Sequence, residues 1–442
     1  MSESVAQLAT PDDPVALEPV YRRNFVFFLL DGILFSVAMS IMSNSTVIPD
    51  FIRRLTDSEV LISLSSNLFE IGWLIPQLFM ARYLMRVARK KWWFLGPNIP
   101  VRFAMLVFAV LIVVLGAGQP GAILIAFLVC YGIAAVGDGV VGVPWVDLTA
   151  SSLDDRWRAR MFGLTIALSG LIMLGVSPLV GVALSDSGPE FPNNYALIFG
   201  AAGVLFVLSI PTMLPVRELP GGGQTVTTIP SLRQYIPDLG RVLRQDGPFR
   251  AMLVTRMLSS LFTMAGPFYI GFATIELGLT SEDAVPAMLL MQTIGTLAGA
   301  LIYAWMGARR NLLYIKLALL TAAVLPISAL LAGVIGPAPL YVGYFAAGLA
   351  LSNLFMSYLN WVIQHATPEQ RPTYTGLFNT VAALTVLVSP VVGGVLAQVS
   401  GYRAVFVVAL VMVLGAFYVV VRYLPVQTQS ARPEVAPVPA AD

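Results

Sequence analysis

The stretch Gly132-Ile-Ala-Ala-Val-Gly-Asp138-Gly-Val-Val-Gly-Val-Pro-Trp145-Val146 sets a glycine thirteen residues before a Trp-Val pair, and the chain repeats that arrangement at Gly348 and Trp361-Val362. Each copy runs through a basic loop into a second motif, Ser177-Pro178-Leu179-Val180-Gly181 in the first and Ser389-Pro390-Val391-Val392-Gly393 in the second. The offset is 216 residues before the loop (348 − 132) and 212 after it (389 − 177), so the second loop is four residues shorter. A Trp-Val pair recurs easily by chance in an apolar chain. An ordered series of glycine, tryptophan, basic loop and Ser-Pro-x-Val-Gly does not, and the chain reads as two similar halves in tandem.

Of the 442 residues, 57% are hydrophobic and 11% charged, and the mean hydropathy is +0.80, whereas soluble domains carry about 25% charged residues. This composition defines an integral membrane protein. A run of roughly 20 apolar residues crosses a bilayer as a helix, and twelve such runs occur, at 24–48, 59–82, 93–115, 120–145, 159–184, 194–214, 249–274, 283–306, 311–334, 338–364, 373–399 and 402–424. Span 3 is the least regular, with Pro97 and Pro100 near its start, and span 1 has sequence enough to run on past Pro49. Residues 1–20 hold Pro, Asp and Glu instead of a basic start and an apolar core, so no cleaved signal peptide is expected. Cys130 is the only cysteine, which excludes an internal disulfide and a thiolate metal site and leaves it as a small packing residue. A net charge of +2 offers no nucleic-acid surface.

Lys and Arg collect on the cytoplasmic side of membrane proteins because translocating them is costly. With the N-terminus inside, 20 of the 26 fall in cytoplasmic segments, and only Arg53, Arg54 and Arg403 fall outside. Arg102, Arg256 and Lys316 lie within spans, Lys316 at an end from which it can snorkel. Both termini are expected in the cytoplasm. The one long polar interruption, with Gly221-Gly222-Gly223, falls where the repeat requires a linker. The expected division is a cytoplasmic tail over 1–20, a six-helix bundle over 21–215, a linker over 216–247, a second bundle over 248–425 and a Pro/Ala-rich disordered tail over 426–442.

Two six-span halves in parallel repeat, a long cytoplasmic linker, and basic loops after spans 2, 4, 8 and 10 resemble the major facilitator superfamily, over nearly the whole chain. The loop Gly299-Ala-Leu-Ile-Tyr303-Ala-Trp-Met-Gly307-Ala-Arg309-Arg310 is similar to the family's Gly-x-Leu-x-Asp-Arg-x-Gly-Arg-Arg signature, with Tyr303 where the aspartate would lie and one residue extra. The loop after span 2 keeps only the basic cluster Arg86 to Lys91. Leu153-Asp154-Asp155-Arg156-Trp157-Arg158 and Thr367-Pro368-Glu369-Gln370-Arg371 resemble the acidic-then-arginine loops after spans 4 and 10. Gly170, Gly175, Pro178 and Gly181 resemble a span 5 signature associated with exporters, its glycine-proline pair split to Gly175-Val-Ser-Pro178. The resemblance implies an all-α membrane protein of twelve transmembrane helices in two six-helix bundles, related by a pseudo-two-fold axis along the membrane normal, with spans 3, 6, 9 and 12 outermost.

Charges inside a membrane are costly and ordinarily face a cavity or a partner, so each is a candidate for function. Ser63, Ser66, Asn67, Glu70 and Gln77 lie within about 60° of their mean direction on a helix, a stripe that reads as the wall of a wet cavity. Glu70 is the leading candidate for the coupling proton; the alternative is a structural ion pair with Arg102 on span 3. Asp138 shares a face with Tyr131 and Trp145, seven residues before and after it, suited to a cationic or aromatic ligand. Its neighbours Gly137 and Gly139 equally permit a packed carboxylate between close helices. Arg256 continues into Ser259, Ser260 and Thr263, and pairing with Asp31 is preferred over an anion site because an unpaired guanidinium in a membrane costs several kcal/mol. Asp31 is the third proton candidate, yet it points about 165° away from the stripe Ser36, Ser40, Ser43, Asn44 on its own helix.

Span 10 carries Asn353, Ser357, Asn360 and Gln364, and span 8 adds Gln292, Thr296 and Tyr303. These are candidate cavity residues, with hydrogen bonding between helices as the other reading. Gating candidates are Arg89 and Lys90 against Asp154, Asp155, Arg156 and Arg158, with Arg309 and Arg310 in the second half. The chain has no Gly-x-x-x-x-Gly-Lys-Ser/Thr loop to cradle a nucleotide, which disfavours ATP-driven transport. The sole histidine, His365, is placed in a loop and makes no histidine-based metal site. Asn44-Ser45-Thr46 matches a glycosylation sequon by accident at a span end. The expectation is a monomeric secondary transporter without cofactor, moving a small solute through the cell membrane with protons as the coupling ion. A sensor or partner protein that kept the fold is the first alternative; a membrane-embedded enzyme, lacking an acid-base or nucleophile cluster, is the second.

Overall fold

The computed structural model describes residues 14–84, 91–219, 243–306, 310–366 and 371–424, and the regular structure among them is helical. Six spans form the first bundle: Pro14–Ile41, Glu59–Leu84, Lys91–Leu115, Pro120–Ser152, Asp155–Leu184 and Asn193–Thr212. Six form the second: Gly247–Glu276, Ser281–Met306, Asn311–Ala322 with Val324–Ile335, Ala338–Leu351 with Leu354–His365, and two within Arg371–Tyr423 that Gly401 divides at φ 78°. These are the twelve spans read from the sequence. By length and hydropathy ten stretches among the described residues are able to cross a membrane, Tyr374–Tyr423 counting once for its two spans. Glu59–Leu84 is outside that set, and it is the helix that bears Asn67 and Glu70.

Several helices depart from the sequence reading. Span 1 stops at Ile41, and a turn leads into a short buried helix, Val47–Arg53. Pro97 and Pro100 are absorbed within one continuous helix, as membrane helices tolerate when neighbours satisfy the freed carbonyls. Span 7 contains a 3-10 turn at Thr263–Ala265 and a π turn at Phe272–Glu276. Spans 9 and 10 are interrupted at Ala323 and at Ser352-Asn353. Asp154 and Asp246 begin spans 5 and 7, their carboxylates accepting from the backbone N–H of Trp157 at 2.7 Å and of Phe249 at 2.9 Å; both thereby satisfy a donor that the first helical turn leaves free.

In the first bundle span 4 packs on spans 2 and 3, span 3 on span 6, and span 1 on spans 5 and 6. In the second, span 8 packs on span 10, and span 7 on the helix pair of spans 11 and 12. The bundles meet where span 5 lies on span 8 and span 2 on span 11. A ring cluster of Phe51, Phe108, Phe127, Tyr195 and Phe199 anchors the short helix in the first bundle, with edge-on and tilted geometries favoured by the ring quadrupole.

Hydrogen bonds between the bundles gather at the end away from the termini. Arg53 Nη2 lies 3.0 Å from Glu59 Oε2, Tyr402 donates to Glu59 Oε1, and the Glu59 backbone N–H donates to Gln398 at 3.0 Å. Asp50 accepts from Ser281 at 3.0 Å and from Tyr195, and Arg54 donates to Ser281 at 2.9 Å. Deeper in, Ser45 donates to Gln292 at 3.0 Å, and Tyr344 donates to the Ser45 carbonyl at 3.3 Å. At the termini end, bonds among the described residues include those of the Asn24 amide, which donates to Ser152 O at 3.0 Å and to Arg217 O at 2.9 Å, and of Lys91 Nζ, which donates to Leu214 O at 2.6 Å.

Candidate functional site

Among the described residues, two of the cavities lie in the membrane-spanning core. The larger, about 520 Å³, sits among spans 1 to 5 of the first bundle and is walled by aromatic side chains together with Asp31, Glu70, Arg102 and Asp138. The smaller, about 220 Å³, sits between the bundles and is lined by Asn44, Ser45, Asn67, Glu70, Thr263, Tyr269, Gln292 and Tyr344 among others. Glu70 is the residue common to both linings. Glu70 keeps accessible surface, and both cavities have it in their walls.

The charged cluster follows from local sequence. A Cβ on Gly137 would stand 2.1 Å from Val101 Cγ2 and one on Gly139 2.5 Å from Trp73 O, so span 4 passes between spans 3 and 2 at a distance only glycine permits. Asp138 between them is buried, and its Oδ1 lies 3.7 Å from Arg102 Nη2. The Arg102 guanidinium also lies over Phe35 at 4.5 Å and Phe206 at 5.3 Å. The alternative reading of Glu70, an ion pair with Arg102, is not formed; Arg102 pairs with Asp138, which the close packing of spans 3 and 4 brings near. Trp145 donates from Nε1 to Asp31 Oδ2 at 3.3 Å, which holds both in the cavity wall.

Asp31 and Ser36 both line the larger cavity although their directions on the helix differ, since the cavity wraps around part of span 1 instead of meeting one narrow face. Asn44 and Ser45 escape the helical phase altogether, because the helix has ended at Ile41. The preferred pairing of Asp31 with Arg256 is not formed. Asp31 looks into the first bundle, whereas Arg256 belongs to the second, its guanidinium 5.5 Å from the ring of Phe355, 5.6 Å from Tyr358 and 5.9 Å from Phe378.

Among the remaining cavity candidates, Trp145 lines the larger cavity, and Asn67, Thr263 and Gln292 line the smaller. Tyr131 does not: it is 1% exposed and packs against Phe127 at 5.0 Å and Phe69 at 6.0 Å. Ser259 and Ser260 are buried, the former returning its hydroxyl to Arg256 O at 3.0 Å. Thr296 bonds its own helix at Gln292 O, 2.9 Å. On span 10, Ser357 bonds Asn353 O at 2.9 Å, the Ser357 carbonyl accepts from Asn311 at 2.6 Å, and Asn360 donates to Tyr303 at 2.6 Å. Ser357 and Asn360 thus join span 10 to spans 9 and 8, and neither they nor Asn353 and Gln364 line the two cavities. The Gln77 side chain lies outside the described residues.

Of the gating candidates, Arg89, Lys90 and Arg309 lie outside the described residues. Asp154 caps span 5 and Asp155 pairs with Arg158 one turn on, so these acids are taken up locally, while Arg156 and Arg310 are exposed. His365, expected in a loop, ends the helix Leu354–His365, with Nε2 2.7 Å from Asp246 Oδ2 and its ring stacked on Trp361 at 4.6 Å. Tyr374 also donates to Asp246, at 2.8 Å. Burial pushes the Asp246 carboxyl up, but hydrogen bonds from the Phe249 N–H, His365 and Tyr374 outweigh it and hold it below the usual carboxylate value. The network at the far end, Arg53-Glu59-Tyr402 and Asp50-Arg54-Ser281, was not picked out from the sequence, where the two arginines read only as outside loop charges.

Residues 317–440 match the family model described as Major Facilitator Superfamily. A crystal structure of a point mutant of the nucleoside transporter NupG superposes with TM-score 0.67 at 11% identity, covering 92% of this chain and 100% of that one. The D-xylose-proton symporter gives TM-score 0.63 at 12% identity over 91% and 98%. The human organic anion transporter MFSD10 (TETRAN) gives 0.57 at 16% identity over 90% and 99%. No curated protein matches the chain in sequence. The resemblance read from the repeat and the loops therefore holds: this is a multi-pass membrane protein with the major facilitator superfamily fold.

Proposed function

We propose that the protein is a secondary active transporter, not an enzyme, which moves a small solute by alternating access and couples it to protons through Glu70. The supporting observation is that Glu70 lines both the cavity within the first bundle and the one between the bundles. A carboxyl there meets different surroundings when the bundles rock, which is what a proton carrier requires. The segments 21–215 and 248–425 act as the two rocking bodies, with 216–247 as their tether. With both termini in the cytoplasm, as the loop Lys and Arg distribution favours, the bonded far end is extracellular and this conformation faces inward.

Glu70→Gln keeps volume and hydrogen bonding while removing the charge change. In proteoliposomes supplied with a panel of labelled solutes, the variant retains exchange of the transported solute but loses accumulation driven by a pH gradient. Uphill accumulation by Glu70→Gln at the normal rate refutes the assignment and passes the role to Asp138. A protein that binds solute and moves none, under either condition, refutes transport itself.

A further inference from the structure

At the termini end, spans 1 and 3 both pack on span 6 and reach the short segment that follows it, where the carbonyls of Leu214, Pro215 and Val216 lie past the helix. Two cations take those three acceptors. Lys91 Nζ donates to Leu214 O at 2.6 Å and to Val216 O at 2.8 Å, and Arg23 Nη2 donates to Pro215 O between them at 2.8 Å. Asn24, fully buried, fixes the next residue, donating to Arg217 O and accepting from Arg217 N, each at 2.9 Å. Arg217, exposed, is thereby set beside the other two. A helix C-terminus favours cations, but three on one segment repel one another. Among the described residues none of the three is ion-paired. Glu218 accepts from the Lys91 backbone N–H at 3.2 Å, while Glu18 on span 1 is taken up by Trp157 Nε1 at 3.3 Å. Counting Glu218 against the three cations leaves a formal charge of +2 (three minus one).

Donors also remain. Lys91 keeps a third ammonium N–H, Arg23 keeps four of its five, and among the described residues the Arg217 guanidinium donates to nothing. An apolar lane leads away from the same corner. Lys91 Nζ lies 5.9 Å from the ring of Trp92, which is 64% exposed. Ile99 and Phe103, seven and eleven residues on, share that face of span 3 and are exposed as well. Phe103 stands about 17 Å along the helix from Trp92 (eleven rises of 1.5 Å), close to the depth of one leaflet of a roughly 30 Å hydrocarbon core, and tryptophan favours the headgroup level. We propose that this corner of spans 1, 3 and 6 binds one anionic phospholipid, its phosphate on the free donors of Arg23, Lys91 and Arg217 and an acyl chain along Trp92, Ile99 and Phe103. The phosphate supplies the missing negative charge and the acceptor oxygens that guanidinium and ammonium groups bond most strongly. A zwitterionic headgroup brings no net charge, and a soluble anion leaves the apolar lane unfilled. The lipid ties spans 1 and 3 to residues 214–218, steadying the chain where it leaves the first bundle.

The corner is separate from both cavities, so its test does not depend on solute movement. Full-length protein in detergent is titrated with dioleoylphosphatidylglycerol and, separately, with dioleoylphosphatidylcholine, which has the same chains and no net charge; native mass spectrometry measures the first lipid bound. One basic group near a membrane surface contributes about fivefold in affinity, so a surplus of two favours phosphatidylglycerol by about twentyfold. Arg217→Gln weakens phosphatidylglycerol by about fivefold and leaves phosphatidylcholine unchanged, and Arg217→Lys retains the preference. Arg422→Gln, at an exposed arginine in the last turn of span 12, changes neither. Equal affinity for the two lipids overturns the proposal. So does undiminished binding to Arg217→Gln, or an equal loss in Arg422→Gln, which reduces the effect to diffuse charge attraction. Release of bound phosphatidylglycerol by equimolar sn-glycerol 3-phosphate, which has the phosphate and no chains, assigns the corner to a soluble anion and overturns the lipid. If Arg217→Gln aggregates, the two lipids compared on the unaltered protein and on Arg422→Gln still decide.

Discussion

Gly132 and Gly348 occupy equivalent positions in the repeat, thirteen residues before Trp145 and Trp361, yet the structure gives them different work. A Cβ at Gly132 meets nothing within 4 Å, whereas one at Gly348 would stand 2.0 Å from the Gln292 carbonyl oxygen and 2.9 Å from Thr296 N. Ordinary contact begins at 3.4 Å, so Gly348→Ala must part spans 8 and 10 by about 1.4 Å (3.4 − 2.0). The atom in the way is backbone, which has no rotamer to move aside. Overpacking of this kind costs about 1–3 kcal/mol. Both substitutions gain the same helix propensity, about 1 kcal/mol, so that gain cancels when the two variants are compared. Gly348→Ala is therefore less stable than Gly132→Ala by about 1–3 kcal/mol, or several degrees in apparent Tm at about 2–4 °C per kcal/mol for a body of one bundle's size. Thermal unfolding of the two purified variants in the same detergent measures the difference. Gly348→Ala melting at or above Gly132→Ala would refute the packing of spans 8 and 10 described above.

At the far end, Glu59→Gln combined with Tyr402→Phe removes the ion pair with Arg53 and the bond between bundles; labelling of a cysteine placed at Asn67 by an impermeant reagent from outside rises by about fivefold or more, and an unchanged rate argues against a latch there. Asp246 has its folded pKa held below the unfolded value, so its stabilising contribution is present above the unfolded value, near pH 3.9, and is lost as pH falls through the folded one. Asp246→Asn accordingly lowers the Tm at pH 7, and the gap from the unaltered protein narrows as pH is taken down toward 3; a gap constant with pH assigns the loss to shape alone. A tag added after Asp442 stays unreactive toward an impermeant reagent on intact cells, given 20 cytoplasmic against three external loop Lys and Arg residues; labelling there inverts the topology.

The membrane class, the twelve spans and the tandem halves were legible in the sequence because each rests on a property summed along the chain. Twenty apolar residues in a row, or basic loops at a fixed side, need no partner to be recognised. That Glu70 and Asp138 would meet a cavity or a partner was legible for a related reason: a carboxylate in an apolar span is conspicuous, and Gly137 and Gly139 announced close packing around one of them. The breaks in spans 7, 9 and 10 were not, since Thr263, Ala323 and Asn353 are ordinary residues whose local geometry is set by the helices against them.

Pairing was decided only in three dimensions. Depth along a helix suggested Glu70 with Arg102 and Asp31 with Arg256, but depth does not say which way a helix is turned or which neighbour it approaches. Span 4 approaches span 3 through glycine and delivers Asp138 to Arg102, while span 7 turns Arg256 into the rings of its own bundle. The polar stripe of span 10 shows the same division. Its period of three and four fixed which residues share a face, and the neighbouring spans 8 and 9 decided that Asn360 and Ser357 would bond helices together instead of meeting water. Periodicity determines a face from the chain alone; what that face meets is a property of the packed neighbours, and only the tertiary structure holds it.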